Sequence, residues 1–308
     1  MAWLHFGGLG VQQSDEEAFD YWYHVHVRST DAVLKPISTF MVGWCCYLGR
    51  GTRQDSAEGF RLFGQSREQG LLLGGKWTMD WSWGSPLDEL ESLSAIATRF
   101  YRCCAVSSDG TNMLLDHLLA MCSLYGFGTT KDQPKAAAAL QELATDGFAP
   151  SQIALGSCYH CGIGIEQDDH LAFAWFSRSA DQLDFWGQLC LADCYSAGYG
   201  TEADPLKATE LYQAASDQGN ASAQTRLANR YYTGQGVDRD YAQAIRWYRR
   251  AAEQGNANAQ NKLGNCYQNG IGVDRNFQMA MECYRRSAAQ GNAAARRSLS
   301  MLRLWRTL

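Results

Sequence analysis

Residues 221–256 read ASAQTRLANRYYTGQGVDRDYAQAIRWYRRAAEQGN, and a Gly-x-Gly pair divides this stretch into two helical patterns. The pair recurs along the chain, and its last five copies are always 36 residues apart. The seven pairs are Gly8/Gly10, Gly49/Gly51, Gly126/Gly128, Gly162/Gly164, Gly198/Gly200, Gly234/Gly236 and Gly270/Gly272. A fixed period of this length predicts a solenoid, in which each unit buries its apolar face against its neighbours.

Each unit should contain two helices. Ala223, Leu227 and Tyr231 follow helical spacing and predict a first helix, helix A, which ends at the first glycine of the pair. Asp240 stands where a second helix, helix B, should begin, because its side chain can accept the free N–H groups of the first turn. The other units carry equivalent N-cap residues at Ser14, Asp55, Asp132, Asp168, Asp204 and Asn276.

Each helix of a repeat carries a small residue and a large aromatic residue at fixed positions. Ala228 of helix A and Ala244 of helix B have small counterparts in the other units, which lets the helices approach closely. Aromatic positions then fill the layer between units. These are Tyr159, Tyr195, Tyr231 and Tyr267 on helix A, and Phe176, Tyr212, Tyr248 and Tyr284 on helix B.

This pattern resembles the Sel1-like repeats, which are relatives of the tetratricopeptide repeats. The residues that carry the resemblance in one unit are Leu227, Ala228, Tyr231, Gly234, Gly236, Val237, Ala244, Trp247, Tyr248, Ala251, Ala252, Gly255 and Asn256. The resemblance is specific over 113–292 and looser over 36–71. It implies an all-α fold, a right-handed α/α superhelix of paired antiparallel helices, and a role as an adaptor or scaffold in protein complexes.

The repeat pattern predicts the organisation of the whole chain. We expect a truncated repeat at 1–35, a repeat at 36–71, a degenerate repeat with a Trp-rich insertion at 72–112, five regular repeats at 113–292 and a capping helix at 293–308. Because helix A of the first unit is nearly missing, we expect the N-terminal end to be poorly capped and prone to association.

The degenerate repeat contains GGKWTMDWSWGSP, with Trp77, Trp81 and Trp83 close together. One interpretation is an aromatic contact patch for a partner or a sugar, since insertions in solenoids often bind ligands. The other is an irregularly packed helix whose indoles fill space left by missing consensus residues. The second is favoured, because Trp is usually largely buried.

Eleven cysteines are many for a chain of this kind. Five of them, at Cys45, Cys122, Cys158, Cys194 and Cys266, occupy one slot of helix A, which indicates a small apolar core residue. The odd number favours reduced thiols. A cysteine-rich branch of the family links helix A to helix B by disulfides, and Cys266 with Cys283 is the one pair here that could form such a bridge.

Possible metal or catalytic sites are poorly supported. Cys158, His160 and Cys161 form a Cys-x-x-Cys stretch, but rigid helices do not aim such side chains at one point, so we expect no metal site and no cofactor. No catalytic motif is present, and we expect no enzymatic activity and no small-molecule substrate.

Charge is distributed unevenly, although the net charge is −5. Residues 221–308 contain 14 Lys and Arg against 5 Asp and Glu. This asymmetry could indicate an acidic ligand at the C-terminal end, or a solvated helix face bearing Arg246, Arg249, Arg250, Arg285 and Arg286, and the second is favoured. No apolar run reaches the length of a membrane span, and the N-terminal sequence lacks signal-peptide features, so we expect a cytoplasmic protein.

The leading functional hypothesis is a non-enzymatic adaptor that binds proteins or peptides on the concave face. A polar stripe on helix A, beside its core stripe, should face the ligand. It comprises Ser157, His160, Asp193, Ser196, Thr225, Asn229, Tyr232, Asn261, Asn265 and Gln268. One alternative is an adaptor of ER-associated quality control or degradation, which requires a missing upstream signal sequence. A second is the weak hydrolase activity attributed to the cysteine-rich branch of the family. A third, an RNA-binding array, is disfavoured because the aromatic side chains needed for base stacking look buried.

Overall fold

The computed structural model describes residues 1–71, 73 and 94–305, and these residues form sixteen α-helices and no strand. The helices are α1 (Ala2–Gly7), α2 (Asp15–Arg28), α3 (Leu34–Leu48), α4 (Ser56–Glu68), α5 (Ala95–Ser107), α6 (Met113–Tyr125), α7 (Gln133–Thr145), α8 (Ala149–Cys161), α9 (Asp169–Asp181), α10 (Phe185–Ala197), α11 (Pro205–Asp217), α12 (Ala221–Thr233), α13 (Tyr241–Glu253), α14 (Ala257–Asn269), α15 (Phe277–Ala289) and α16 (Ala293–Trp305). The predicted all-α fold of helix-pair repeats is confirmed.

The helices belong to two compact units, Met1–Gln182 and Leu183–Leu308. In the first unit α3 packs with α4, α6 with α7, and α8 with α9. In the second unit α10 packs with α11, α12 with α13, and α14 with α15, while α16 packs on α15. Across the described ranges, no helix is long and apolar enough to cross a bilayer.

The predicted helix ends are confirmed. Six helix A elements end at a glycine in the left-handed conformation, at Gly49, Gly126, Gly162, Gly198, Gly234 and Gly270. Every predicted N-cap side chain accepts a hydrogen bond from the first turn of helix B, at Ser14, Asp55, Asp132, Asp168, Asp204, Asp240 and Asn276. Each such cap stabilises its helix by about 1 kcal/mol.

Within a repeat, the aromatic ring of helix B lies on the small residue of helix A. A Cβ atom added to Gly156 would lie 2.6 Å from the Phe176 ring, and one added to Gly264 would lie 2.7 Å from the Tyr284 ring. The four helix B aromatics are at most 2 % exposed, which confirms their place in the core. Three of the helix A tyrosines are only half-buried, and Tyr267 alone is buried.

The second glycine of the pair has a different role from the first. Gly236 has a φ of +72°, and a Cβ atom there would lie 2.5 Å from the carbonyl carbon of Pro205, the first residue of α11. Gly164 meets the carbonyl of Gln133, at the start of α7, in the same way. The second glycine therefore permits the backbone of one repeat to touch the first turn of helix B in the preceding repeat.

Paired glutamines close the last four of the five regular repeats. The amide of Gln254, the C-cap of α13, donates to the side-chain oxygen of Gln224 on α12 (2.9 Å), and Gln224 in turn donates to the backbone oxygen of Ser216 (3.3 Å). Equivalent pairs join Gln182 to Gln152, Gln218 to Gln188 and Gln290 to Gln260. Because these amides satisfy one another, buried polar groups are tolerated between the helices.

The N-terminal helix α1 is only six residues long, but it is tied to the rest of its unit. Arg50 forms a two-pronged ion pair with Asp15 (2.8 and 2.9 Å) and donates to Asn112 (3.2 Å), whose amide donates to the backbone oxygen of Phe6 (3.0 Å). Such bidentate guanidinium–carboxylate pairs are geometrically specific. Exposed apolar side chains remain on α2 at Tyr21, Tyr23 and Val27, and the association of this end stays a prediction.

Leu183 is the one non-glycine residue with positive φ (60°) in the described chain, at a position where the other repeats have Gly147, Gly219, Gly255 or Gly291. Its side chain is 73 % exposed, so packing does not compensate for the strained backbone. We expect Leu183→Gly to raise the free energy of unfolding by about 0.5–1 kcal/mol, since relief of left-handed strain exceeds the entropic cost of glycine. Leu183→Ala keeps the left-handed strain and should leave the midpoint of urea unfolding unchanged. Equal midpoints for the two variants would show that backbone strain at position 183 does not limit stability.

Candidate functional site

Helix A is the more enclosed helix of each pair. In α8 all residues from Pro150 to Gly156 are buried, whereas the outward side of helix B carries exposed charges. The accessible part of helix A is a narrow polar strip. Eight of the ten predicted stripe residues are half-buried, and Thr225 and Asn261 are buried, at 6 % and 9 % exposure. Their role in binding stays a prediction.

The stripe position occupied by Asn229 and, one repeat later, by Asn265 forms a hydrogen bond to helix B of its own repeat. The Tyr248 hydroxyl of α13 donates to the Asn229 side-chain oxygen of α12 (2.6 Å), and Tyr284 of α15 donates to Asn265 of α14 (2.6 Å). The side-chain oxygen of Gln268 lies 2.7 Å from the same hydroxyl, as a second acceptor for its one proton. Burial raises the pKa of Tyr284 to about 12, so its hydroxyl remains a donor at neutral pH. These stripe residues therefore help to join helix A to helix B.

The same position in α10 begins a charged network. Asp193 accepts a hydrogen bond from Tyr212 of α11 and forms an ion pair with Arg226 of α12 (3.1 Å). Arg230, one turn further along α12, donates to Ser196 of α10 and lies over the Tyr212 ring, 5.4 Å from its centroid. Asp193 and Ser196 belong to the predicted stripe, whereas the two arginines do not. A second Arg four residues after the first, on the same face of helix A, was the available sequence signal.

In the first unit, the Ser157 and His160 stripe residues lie on α8. His160 Nδ1 lies 2.6 Å from Asp169 Oδ1 at the start of α9, and the Ser157 hydroxyl donates to the backbone oxygen of Ile153 (2.8 Å). Cys158 is buried on the same helix, while Cys161 is exposed. Among the described residues, no group of three or more His, Cys, Asp or Glu side chains is arranged to hold a metal ion.

The predicted aromatic patch of Trp77, Trp81 and Trp83 lies outside the described residues. The solvated-face interpretation concerned Arg246, Arg249, Arg250, Arg285 and Arg286, and all five are exposed on helix B. Several have local partners there. Arg249 donates to the Tyr267 hydroxyl (3.1 Å), and Arg286 forms an ion pair with Glu282 (2.9 Å).

All eleven cysteines are free thiols, and the five in the shared helix A slot are buried, which confirms them as core residues. Cys266 and Cys283 are not bridged. Burial raises the pKa of the Cys158 thiol to about 12 and that of Cys266 to about 11, so both stay protonated at neutral pH.

Cys161 should be the one fast-reacting thiol of the folded chain, because it alone is exposed. Burial and then the Asp169 carboxylate raise the pKa of Cys161 above its ordinary value of 9.0. Since the thiolate is the reactive form, its rate with an aromatic disulfide reagent should keep rising as pH passes 9. Cys161→Ser should remove this fast phase. A rate that levels off below pH 9 would contradict the raised pKa.

Comparisons with known proteins agree with this architecture. The family model described as the Sel1 repeat matches seven segments, at 1–23, 36–71, 117–144, 149–182, 188–220, 221–256 and 257–292. No curated protein sequence matches the chain.

Two solved structures have a similar fold. One is c5321, described as a protective antigen of uropathogenic Escherichia coli with an SLR fold (26% identity, TM-score 0.56); the match covers 98% of this chain and 62% of c5321. The other is a Sel1 repeat protein from Oxalobacter formigenes (26% identity, TM-score 0.61), with 65% of this chain and 82% of that chain covered. The chain thus spans less than two thirds of c5321.

Proposed function

The chain belongs to the Sel1 repeat family, and from this we propose that it is a non-enzymatic adaptor that binds a protein or peptide along the polar stripe of helix A. Sel1 repeat proteins commonly serve as scaffolds for protein interactions. The observation that carries the proposal for this chain is the stripe itself. Its side chains are polar and mostly half-buried, and several are held by neighbouring helices, as Asn229 is by Tyr248, so they offer hydrogen-bonding groups at low entropic cost.

The same features support a protein partner in preference to a substrate. Within the second unit the stripe crosses α10, α12 and α14, and so provides the extended surface that repeat proteins use for binding. The odd number of cysteines supports a reducing compartment such as the cytoplasm.

Site-specific photo-crosslinking tests the binding face. Lys262 is exposed on α14, a helix A element, and Arg246 is exposed on α13, a helix B element. With a benzophenone amino acid at position 262, we expect discrete crosslinked species in native lysate. The same probe at position 246 is the matched control and should give none of them. Identical species from both positions, or no species from position 262, would refute the proposed face.

A further inference from the structure

The second unit contains a buried cation without a counter-ion. Arg230 is 6 % exposed. It donates to Ser196 and, from Nη1, to the side-chain oxygen of Gln235 (3.3 Å), and it lies over the Tyr212 ring. All of these partners are neutral, and no carboxylate among the described residues forms an ion pair with it. Its Nε atom donates to none of the described residues.

Burying the charged Arg230 guanidinium with only neutral partners lowers the stability of the protein when no ligand is bound. A guanidinium keeps its charge in proteins and cannot relieve burial by losing a proton. Buried charges are therefore normally paired, because hydrogen bonds to neutral groups replace only part of the lost hydration. An anion beside Arg230 would complete the arrangement.

The location gives such an anion access. Gln235, which accepts from Arg230, is exposed, and Ser196 is half-buried, so the guanidinium lies just below the surface. Arg226 lies one turn earlier on α12 with its side chain 29% exposed. Asp193 holds Arg226 in place through the 3.1 Å ion pair.

The charge balance indicates what kind of anion fits. The two arginines and Asp193 leave one positive charge uncompensated, which matches a single carboxylate. A phosphate group would bring nearly two negative charges next to Asp193 and would be repelled by it. The planar guanidinium, in turn, suits the two oxygens of a carboxylate.

We propose that Arg226 and Arg230 form a carboxylate-recognition site for an acidic side chain or the C-terminal carboxylate of a bound protein segment. This inference rests on the proposed function, since it assigns the chemistry of the partner on the same helix A surface. Arg230 supplies the principal contact, and Arg226, positioned by Asp193, supplies the second charge at the entrance of the site.

Small carboxylates test the site without the natural partner. The full chain, labelled with ¹⁵N at arginine, is titrated in low-chloride buffer while the Nε–Hε resonances are recorded. The signal of Arg230 is identified by its loss in Arg230→Lys. N-acetylglutamate amide offers only a side-chain carboxylate, and N-acetylalanine only a terminal one. We expect one of them to shift the Arg230 signal saturably, and which one does so identifies the source.

The controls separate specific binding from general ionic effects. N-acetylglutamine amide, which is neutral, should have no effect, and the exposed Arg246 should shift far less than Arg230. Arg226→Gln should weaken carboxylate binding about tenfold, as expected for loss of one charged hydrogen-bond partner. Equal shifts of Arg230 and Arg246, or no shift with either carboxylate, would overturn the proposal. So would tighter binding of O-phosphoserine, which would favour a phosphorylated partner.

A stability measurement distinguishes ligand binding from a structural role. Because Arg230 has no counter-ion, Arg230→Met should leave the thermal midpoint unchanged or raise it. Arg226→Met should lower the midpoint, since it strands Asp193. A large fall for Arg230→Met would show that the fold itself requires the guanidinium and would overturn the proposal. The titration does not depend on the crosslinking result, so failure of the adaptor role and failure of this site are distinguishable.

Discussion

Gly236→Ala should lower the free energy of unfolding by about 3 kcal/mol, although it adds only one methyl group. The left-handed backbone, with φ of +72°, costs an alanine about 1 kcal/mol. The new Cβ would also lie 2.5 Å from the carbonyl carbon of Pro205, and relieving that overlap costs about 2 kcal/mol more. The clash lies between neighbouring repeats, so their interface should weaken as well as the turn.

Gly255→Ala is the matched control for this prediction. Gly255 also has positive φ (+89°), but nothing lies within 4 Å of the position of an added Cβ. The control should therefore show the backbone cost alone, about 1 kcal/mol. Urea unfolding followed by circular dichroism gives both values. If the two variants lose equal stability, close approach to Pro205 does not explain the second glycine of the pair.

The two glycines show how far local sequence reasoning extends. The first glycine ends helix A, and its role was predictable because helix C-caps have a known local signature. The second was recognised only as a turn glycine. Its neighbour, Pro205, belongs to the preceding repeat and is 31 positions earlier in the chain. A contact of this range depends on how repeats stack, which the pattern of a single repeat does not reveal.

The surroundings of the predicted polar stripe were only partly predictable. The helical spacing placed Asn229 and Asn265 beside the core stripe of helix A, and both are half-buried there. Their bonds to Tyr248 and Tyr284 were missed, because each partner lies 19 residues later on another helix. Comparison between repeats contained a usable signal. Where helix B carries a tyrosine, the residue 19 positions earlier is Asp193, Asn229 or Asn265, and where it carries Phe176 that residue is Ser157.

The contacts of Arg226 and Arg230 were missed for a different reason. Both residues were counted in the positive charge of residues 221–308, but neither was assigned to a particular face of its helix. The structure places their side chains against Asp193 and Ser196 of the preceding repeat. Net charge carries no information on which face a side chain occupies, so this distinction required the packing of the helices.

Tyr248→Ala should lower the free energy of unfolding by about 4 kcal/mol, because the side chain is 1 % exposed and its loss leaves a cavity between α12 and α13. Tyr248→Phe should cost only about 1 kcal/mol, since it removes the hydrogen bond to Asn229 and keeps the ring. Urea unfolding of the two variants separates packing from hydrogen bonding. A loss for Tyr248→Phe as large as that for Tyr248→Ala would contradict this division.

The same pair of residues decides how Asn229 acts in binding. Asn229→Ala removes any contact to a partner and also leaves the buried Tyr248 hydroxyl without its acceptor. Tyr248→Phe releases the Asn229 amide without deleting it. If Asn229 contacts the partner directly, crosslinking from position 262 should fall in Asn229→Ala and persist in Tyr248→Phe. If the hydrogen bond from Tyr248 is needed to hold the Asn229 amide in its binding position, crosslinking from position 262 should fall in both variants. Crosslinking that survives Asn229→Ala would remove Asn229 from the binding surface.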